Sequence, residues 1–397
     1  MRVADLVGDA VQRPTDASVR RSALAVGVSF AVNGALVATW ISRLPAIKHD
    51  VGADPSGLGL ALLCLAAGSM AAMTLCPRLV RRWGSRAVCR VAMVWTSVSV
   101  PLLALAPNVA GLALAFAVVG AGLGVWDVTM NVQGHRVEQL SGRAFMPRFH
   151  AAWSGGALTG AGIGALYAHA QVPPDGQFRV VAVTVLCMSL TASLAFVEDE
   201  PNGERPERAS RSFNHWLLLI GILTMCSTLG EGAASDWLAI FLVDERQHSQ
   251  ALGAAGFTVF ALAMVVGRSA GTNIVERVGR VTALRTAGLL TAVGVALSLT
   301  VPADPATFVG IALWGLGVAL VFPTAMSAAA ERGETPAGGI AAVATLGYTG
   351  FLVGPPIIGF LAASFSLERA LWVVALLGVA TSVLASFVRP PSGDVRR

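Results

Sequence analysis

The sequence predicts an all-α integral membrane protein whose twelve transmembrane helices form two pseudo-symmetric six-helix bundles. Three observations carry that expectation. Only 13% of the 397 residues are charged and 55% are hydrophobic, against roughly 25% charged in an ordinary soluble domain. Uncharged runs of about 17 to 25 residues, enough to cross a ~30 Å hydrocarbon core as a helix, recur from Ser22 almost to the C-terminus. Two different segments of the first half also return in the second half at one offset of 195 residues.

In chain order the spans are expected at about 22–42, 56–76, 87–106, 109–132, 147–170 and 178–197, then at about 214–242, 251–275, 283–302, 306–330, 336–364 and 367–389. The first follows a polar stretch, residues 1–21, and is long enough to remain as a span, so no secretory signal is read there. The sixth ends at the charged stretch "EDEPNGERPERASRS", Glu198 to Ser212. The expected division is therefore an N-terminal half at 1–197, a cytoplasmic linker at 198–213 and a C-terminal half at 214–397. The seventh and eighth spans carry charge inside their apolar runs: Glu231, Asp236 and Arg268.

With both termini placed in the cytoplasm, 21 of the 28 basic residues fall inside, five outside (Arg43, Lys48, Arg179, Arg246, Arg369) and two within spans (Arg90, Arg268). That bias is the positive-inside pattern of a multi-pass protein of the cell membrane, and the net charge of +5 needs no nucleic-acid partner. Lys48, the only lysine, lies in "RLPAIKHD", which is not a phosphate loop, so energy would come from an ion gradient or a separate subunit. The five cysteines show no CxxC spacing and read as packing residues. No metal-ligand or nucleophile–base spacing is present, so neither a cofactor nor an enzymatic activity is expected.

The repeat lies in two places. "RRWGSRAV" from Arg81 and "ERVGRVTAL" from Glu276 align Arg82 with Arg277 and Gly84 with Gly279. "GAGLGVW" from Gly120 and "GLGVALV" from Gly315 align at the same offset, and Asp127 then corresponds to Phe322.

The first pair of segments resembles the signature loops of the major facilitator superfamily, a Gly-x-x-x-Asp-Arg-x-Gly-Arg-Arg type sequence after the second span and a weaker copy after the eighth. Arg82, Gly84 and Arg86 match it, while Arg81 stands at the acidic position and Pro77 at the opening glycine. In the second half Glu276, Arg277, Gly279 and Arg280 match, with Thr272 at the opening glycine. An acidic-x-x-x-Asn pair in the fourth span, Asp127 with Asn131, further resembles the fucose-permease-like bacterial branch, as do "RFHAAWSGGALTGAG", "EGAASDWLAIFL", "FALAMVVGRSAG" and "TLGYTGFLVGPPIIGFLA". The resemblance implies a cavity between the halves lined by spans 1, 4, 7 and 10, with substrate near the midplane. It also implies a secondary transporter working by alternating access, with proton-coupled symport of a sugar-like or other small polar molecule as the expected activity. Proton-coupled efflux of an amphiphile is one alternative, and a non-transporting membrane receptor or scaffold is another. A monomer is expected.

Candidate site residues follow from the cost of polarity in lipid. An Asp at the centre of a span costs ~2.5 to 3.5 kcal/mol, so it should face protein or water. Asp127 and Asn131, four apart, share a helical face and could hold a hydroxylated solute or a proton. Glu231 stands between Gly230 and Gly232, and an offset of 198 sets Asn33 opposite it. Asp236, five residues on, should point elsewhere and form a gating pair with Arg43 or Arg246. Arg268 needs a partner, for which Glu276 or a first-half acid is the expectation, anionic substrate being the rival. His150, opening span 5, could relay protons or simply brace the helix entrance.

Trp126 and Trp314 are the aromatic candidates for the cavity wall, ahead of Trp40, Trp153, Trp237, Phe322 and Tyr348. Arg82, Gly84, Glu276 and Arg277 are expected at the gates. Gly156, Gly160 and Gly164 in span 5, mirrored by Gly350, Gly354 and Gly359 in span 11, read as close-packing elements. A Gly-Pro pair occurs in span 11 and not in span 5, which disfavours resemblance to proton/drug antiporters.

Overall fold

A computed structural model describes residues 16–143, 145–198 and 214–390. All of the expected linker but Glu198 lies outside these residues. The described chain is helical: α1 (Asp16–Ile41), α2 (Leu44–Asp50), α3 (Pro55–Ser99), α4 (Val109–Ser141), α5 (Met146–His169), α6 (Pro174–Ser193), α7 (His215–Ile240), α8 (Gln250–Val278), α9 (Arg280–Thr300), α10 (Asp304–Ala319), α11 (Val321–Arg332), α12 (Pro336–Ser364) and α13 (Leu367–Leu384). α2, with seven residues, is too short to cross. The tenth span is α10 followed by α11. Pro323 has no N–H to offer the Ala319 carbonyl, and the helix breaks there.

The second and third spans are the two arms of α3, which reverses at Gly84. Along α4, Gly120 approaches the Leu65 carbonyl while Gly122, two residues on, approaches Thr96. A straight helix would separate Leu65 from Thr96 by about 46 Å at 1.5 Å per residue. Gly84 makes the turn with φ 79° and ψ 154°, a region essentially closed to side-chain-bearing residues. Gly279, its counterpart, has φ 79° and ψ 155°. The same backbone turn therefore stands at both copies of the signature loop.

The repeat continues in the packing. Gly315 lies against the Phe260 carbonyl as Gly120 lies against that of Leu65, and Gly317 meets Thr291 as Gly122 meets Thr96, every partner again 195 residues on. Gly156 lies against the Ala31 carbonyl and Gly350 against that of Met225, so here the offset is 194. This corrects one expectation: on these helices Asn33 corresponds to Ser227, and Glu231 stands one helical turn further along.

Short polar residues cap the spans where the chain turns. Asp54, Asn108, Asn214, Ser249 and Ser366 each accept a backbone N–H of the first turn, satisfying donors that would otherwise be left unpaired. Asp54 lies outside the spans, and its carboxyl is held below the ordinary aspartate range because the Ser56 hydroxyl and the Gly57 N–H donate to it.

At the end of the bundle where Glu198 leads into the linker, ties run within each half. Arg86 pairs with Glu198 at 2.7 Å, Gln133 Nε2 donates to Ser85 Oγ at 2.8 Å, and Arg280 grips both oxygens of Glu331 at 2.7 Å. At the opposite end the halves meet each other. Gly59 of α3 lies against the Pro355 carbonyl of α12, Gly359 lies against that of Pro55, and Lys48 pairs with Asp244 at 2.5 Å. The bundle is thus clasped at the end opposite the linker.

The Lys48–Asp244 pair is partly exposed, with side chains 17% and 37% accessible, and such pairs contribute about 0.2–1 kcal/mol. Lys48→Gln is expected to raise thiol labelling of an Ala157→Cys probe from that side by a few-fold, up to about fivefold for ~1 kcal/mol. The measurement uses a background lacking the native cysteines.

Candidate functional site

Side chains from both halves converge between the bundles. Glu231 of α7 and Arg268 of α8 form an ion pair at 3.0 Å. Arg268 acts electrostatically on His150 of α5 in the other half. Asp127 of α4 and Glu231 both act on the hydroxyl of Tyr348 on α12. Tyr348 is 54% exposed even though it sits on a span, and its ring lies 6.1 Å from that of Phe322. Phe322, the repeat counterpart of Asp127, thus stands beside this tyrosine.

Asn131 Nδ2 donates to the Asp127 main-chain carbonyl at 2.8 Å and lies 3.5 Å from its Oδ1. The expected shared face is present, and the amide orients the pair while the carboxylate oxygens have no cation within salt-bridge distance among the described residues. Glu231 of the second half holds Arg268, and Asp127 of the first half makes no ion pair among the described residues.

Deeper, toward the clasped end, a cavity of about 60 Å³ lies between α1, α5, α7 and α8. Glu231, Ser235, Arg268 and Trp153 are in its wall, with Ala157 and Phe260. Asn33, 4% exposed, uses its Oδ1 to accept the Trp153 indole N–H at 2.9 Å, and its Nδ2 has no partner among the described residues. Asn33 thus reaches the cavity through Trp153.

Several expectations are corrected. Arg268 pairs with Glu231 and not with Glu276, because eight residues place Glu276 about 12 Å along the same helix while Glu231 stands alongside on α7. Glu276 and Arg277 are exposed and make no ion pair among the described residues. Asp236 pairs with neither expected arginine. Arg43 donates to Gln177 Oε1 and the Val172 carbonyl, and Arg246 caps the end of α9 through the Ser298 and Leu299 carbonyls, where a cation meets the negative end of the helix.

The two tryptophans singled out for the cavity are in the helix cores. Trp126 is wholly buried, donating to Ser29 Oγ at 3.0 Å, and as adjacent residues point about 100° apart on a helix, it does not share a face with Asp127. Trp314 is 1% exposed and packs edge-on against Phe260 at 5.8 Å. Arg82 and Gly84 lie at the exposed α3 reversal, where the Arg82 guanidinium sits 5.5 Å from the Trp83 ring centre.

Two participants were under-read in the sequence. Tyr348 was one aromatic among seven, although the chain has only two tyrosines and this one interrupts a Gly-rich span. Lys48 was noted for the motif it lacks, and it ties the two halves together.

Comparison with known proteins agrees on one family. The family model of the Major Facilitator Superfamily matches residues 23–349. An uncharacterized MFS-type transporter of Yersinia pestis is 36% identical over 353 residues, covering 88% of this chain and 91% of that protein. The membrane protein MosC of Rhizobium meliloti is 30% identical over 369 residues, covering 91% of this chain and 89% of its own. Among solved structures, a variant of the nucleoside transporter NupG superposes with a TM-score of 0.76 at 12% identity, covering 92% of this chain and 98% of that one. A bacterial homolog of the human lysosomal transporter Spinster, in an inward-facing and occupied conformation, gives 0.69 at 13% identity over 94% and 97%. At such identities these two likenesses concern the fold.

Proposed function

The chain belongs to the major facilitator superfamily, a family of multi-pass membrane transporters and not of enzymes, and from that premise we propose that it carries a small polar solute by proton-coupled symport. The observation that carries this reading is a pair of span acids in the two halves: Asp127, with Asn131 on its face and no ion pair among the described residues, and Glu231, held by Arg268 in the wall of the cavity between the halves. Carboxylate, amide and phenol together offer the donors and acceptors a hydroxylated solute needs. The nucleoside transporter among the structural neighbours is in keeping with such a solute; a sugar-like molecule fits the same chemistry.

In this reading the halves, 1–197 and 214–397, rock about the site, and the clasp of Lys48 and Asp244 closes one side while solute enters from the other. The linker side is cytoplasmic, as the distribution of arginines supports. Protonation of Asp127 removes its charge, which lowers the cost of sealing the cavity without water. With solute in place of its water, a charged Asp127 resists that closure, whereas the empty site keeps its water and can return, so solute crosses only together with a proton.

Proteoliposome uptake of radiolabelled sugars and nucleosides under an imposed pH gradient tests this. The wild type should accumulate its solute only with the gradient. Asp127→Asn should still exchange solute across the membrane and lose accumulation, by the tenfold or more that a gradient of one pH unit supports at one proton per solute. Accumulation by Asp127→Asn equal to wild type would remove Asp127 from the coupling.

A further inference from the structure

On the outside of the first half, between the two arms of α3 and α4, lies a groove of about 290 Å³ with an almost wholly apolar wall. Leu79, Trp83, Val91, Trp95, Gly122 and Val125 line it. The Trp95 indole N–H is engaged by the Val118 carbonyl at 2.8 Å, so the ring presents only carbon to the groove. Gly122, without a side chain, lets α4 close against Thr96 and the Trp95 ring at the groove floor. Trp83 and Trp95 are 58% and 50% exposed, and a groove open on this flank meets hydrocarbon in a membrane-spanning bundle.

One end of the groove is basic. Trp83 is a wall residue, and the Arg82 guanidinium lies 5.5 Å from its ring centre. Arg81 and Arg78 flank it at the same reversal, and all three are exposed with no carboxylate partner among the described residues. Arg81 stands where the signature loop has an acid, so the site carries an additional positive charge and lacks the negative one. Arg86 is engaged elsewhere, by Glu198.

We propose that this groove binds an anionic phospholipid of the leaflet at the linker end, one acyl chain lying along Trp95, Val91 and Trp83 and the phosphate held by Arg81 and Arg82. Shape and charge select this occupant together. A chain without a charge gains nothing from the arginines, and a free phosphate leaves the apolar groove unfilled. Guanidinium suits a phosphate because its N–H groups match two oxygens at once. The lipid touches both arms of α3 and α4 beside the Gly84 turn, and the first arm of α3 carries Gly59, which meets the other half at Pro355. A lipid seated here braces the arm that links the halves.

The test uses the purified full-length protein in nanodiscs and reads tryptophan quenching by lipids brominated on the acyl chain. Brominated phosphatidylglycerol should quench more than brominated phosphatidylcholine at equal mole fraction. The excess should disappear in Trp83→Phe/Trp95→Phe, which places it at the groove. Arg81→Gln/Arg82→Gln should weaken phosphatidylglycerol affinity about thirtyfold, about fivefold per basic residue at an anionic surface. Ala87→Phe, which fills the groove from its exposed rim without adding a tryptophan, should reduce the excess with the arginines intact. Equal quenching by the two lipids in the wild type, which requires no variant to fold, would overturn the proposal. So would an excess that survives loss of both arginines or filling of the groove.

Discussion

A Gly156→Val chain is expected to yield no stable folded protein. The Cβ of any side chain at Gly156 falls 1.8 Å from the Ala31 carbonyl oxygen, and one turn on, a Cβ at Gly160 falls 2.1 Å from that of Ala35. These obstacles are backbone, so no rotamer change relieves them. α1 and α5 would have to move apart, with loss of dispersion contacts along both helices and of the 2.9 Å Trp153–Asn33 hydrogen bond between them. Overpacking a close helix crossing of this kind costs about 3 kcal/mol or more, a large share of a typical 5–15 kcal/mol stability. Size-exclusion of detergent extracts should show aggregate in place of a monodisperse peak. Gly162→Ala on the same helix, where nothing lies within 4 Å of the added Cβ, should behave as wild type.

Breaking the Glu231–Arg268 pair should affect stability and transport by different rules. Arg268→Gln leaves the Glu231 carboxylate, 16% exposed, without its cation. Loss of a charged hydrogen-bonded partner in a partly buried site costs about 1–3 kcal/mol, and the melting midpoint should fall. Glu231→Gln should fall as well, by less, because Arg268 at 32% exposure reaches more water. The double variant Glu231→Gln/Arg268→Gln restores an uncharged hydrogen-bonding pair and should recover most of the midpoint, a coupling that a double-mutant cycle measures. Transport should not recover, because the pair lies in the wall of the cavity between the halves, and two amides supply neither charge. Recovery of transport together with stability would reduce the pair to a structural tie.

The register of the repeat shows how far pattern reading reaches. The offset of 195 was legible at two glycine-rich segments, and it reappears atom against atom where Gly120 meets Leu65 and Gly315 meets Phe260. The offset of 198 that set Asn33 against Glu231 rested on one short match, and the α1–α5 contact shows it to be a turn too long. An error of four residues keeps a side chain on the same helical face, so the wrong register still placed Asn33 beside the cavity wall.

Charge partners were the least legible feature. Arg268 and Asp236 are legible in the sequence as polar groups that need company. The partners a sequence offers are those near along the chain or on a facing loop. Real partners are chosen by level in the bundle: Glu231 is 37 residues from Arg268 and Gln177 is 134 from Arg43.

By itself the sequence determined the span pattern, the two-fold repeat, the glycine turns at 84 and 279, and Asp127 with Asn131 on one face. All of these are properties of a helix or of a single turn, and a helix in lipid must satisfy its own backbone locally. Only the tertiary structure decided that Arg268 holds Glu231, that Tyr348 stands exposed beside Phe322, that Trp126 and Trp314 turn into the cores, and that Lys48 clasps Asp244. Those outcomes depend on the rotation and height of one helix against another. Shape complementarity among glycines and carbonyls from distant parts of the chain sets both.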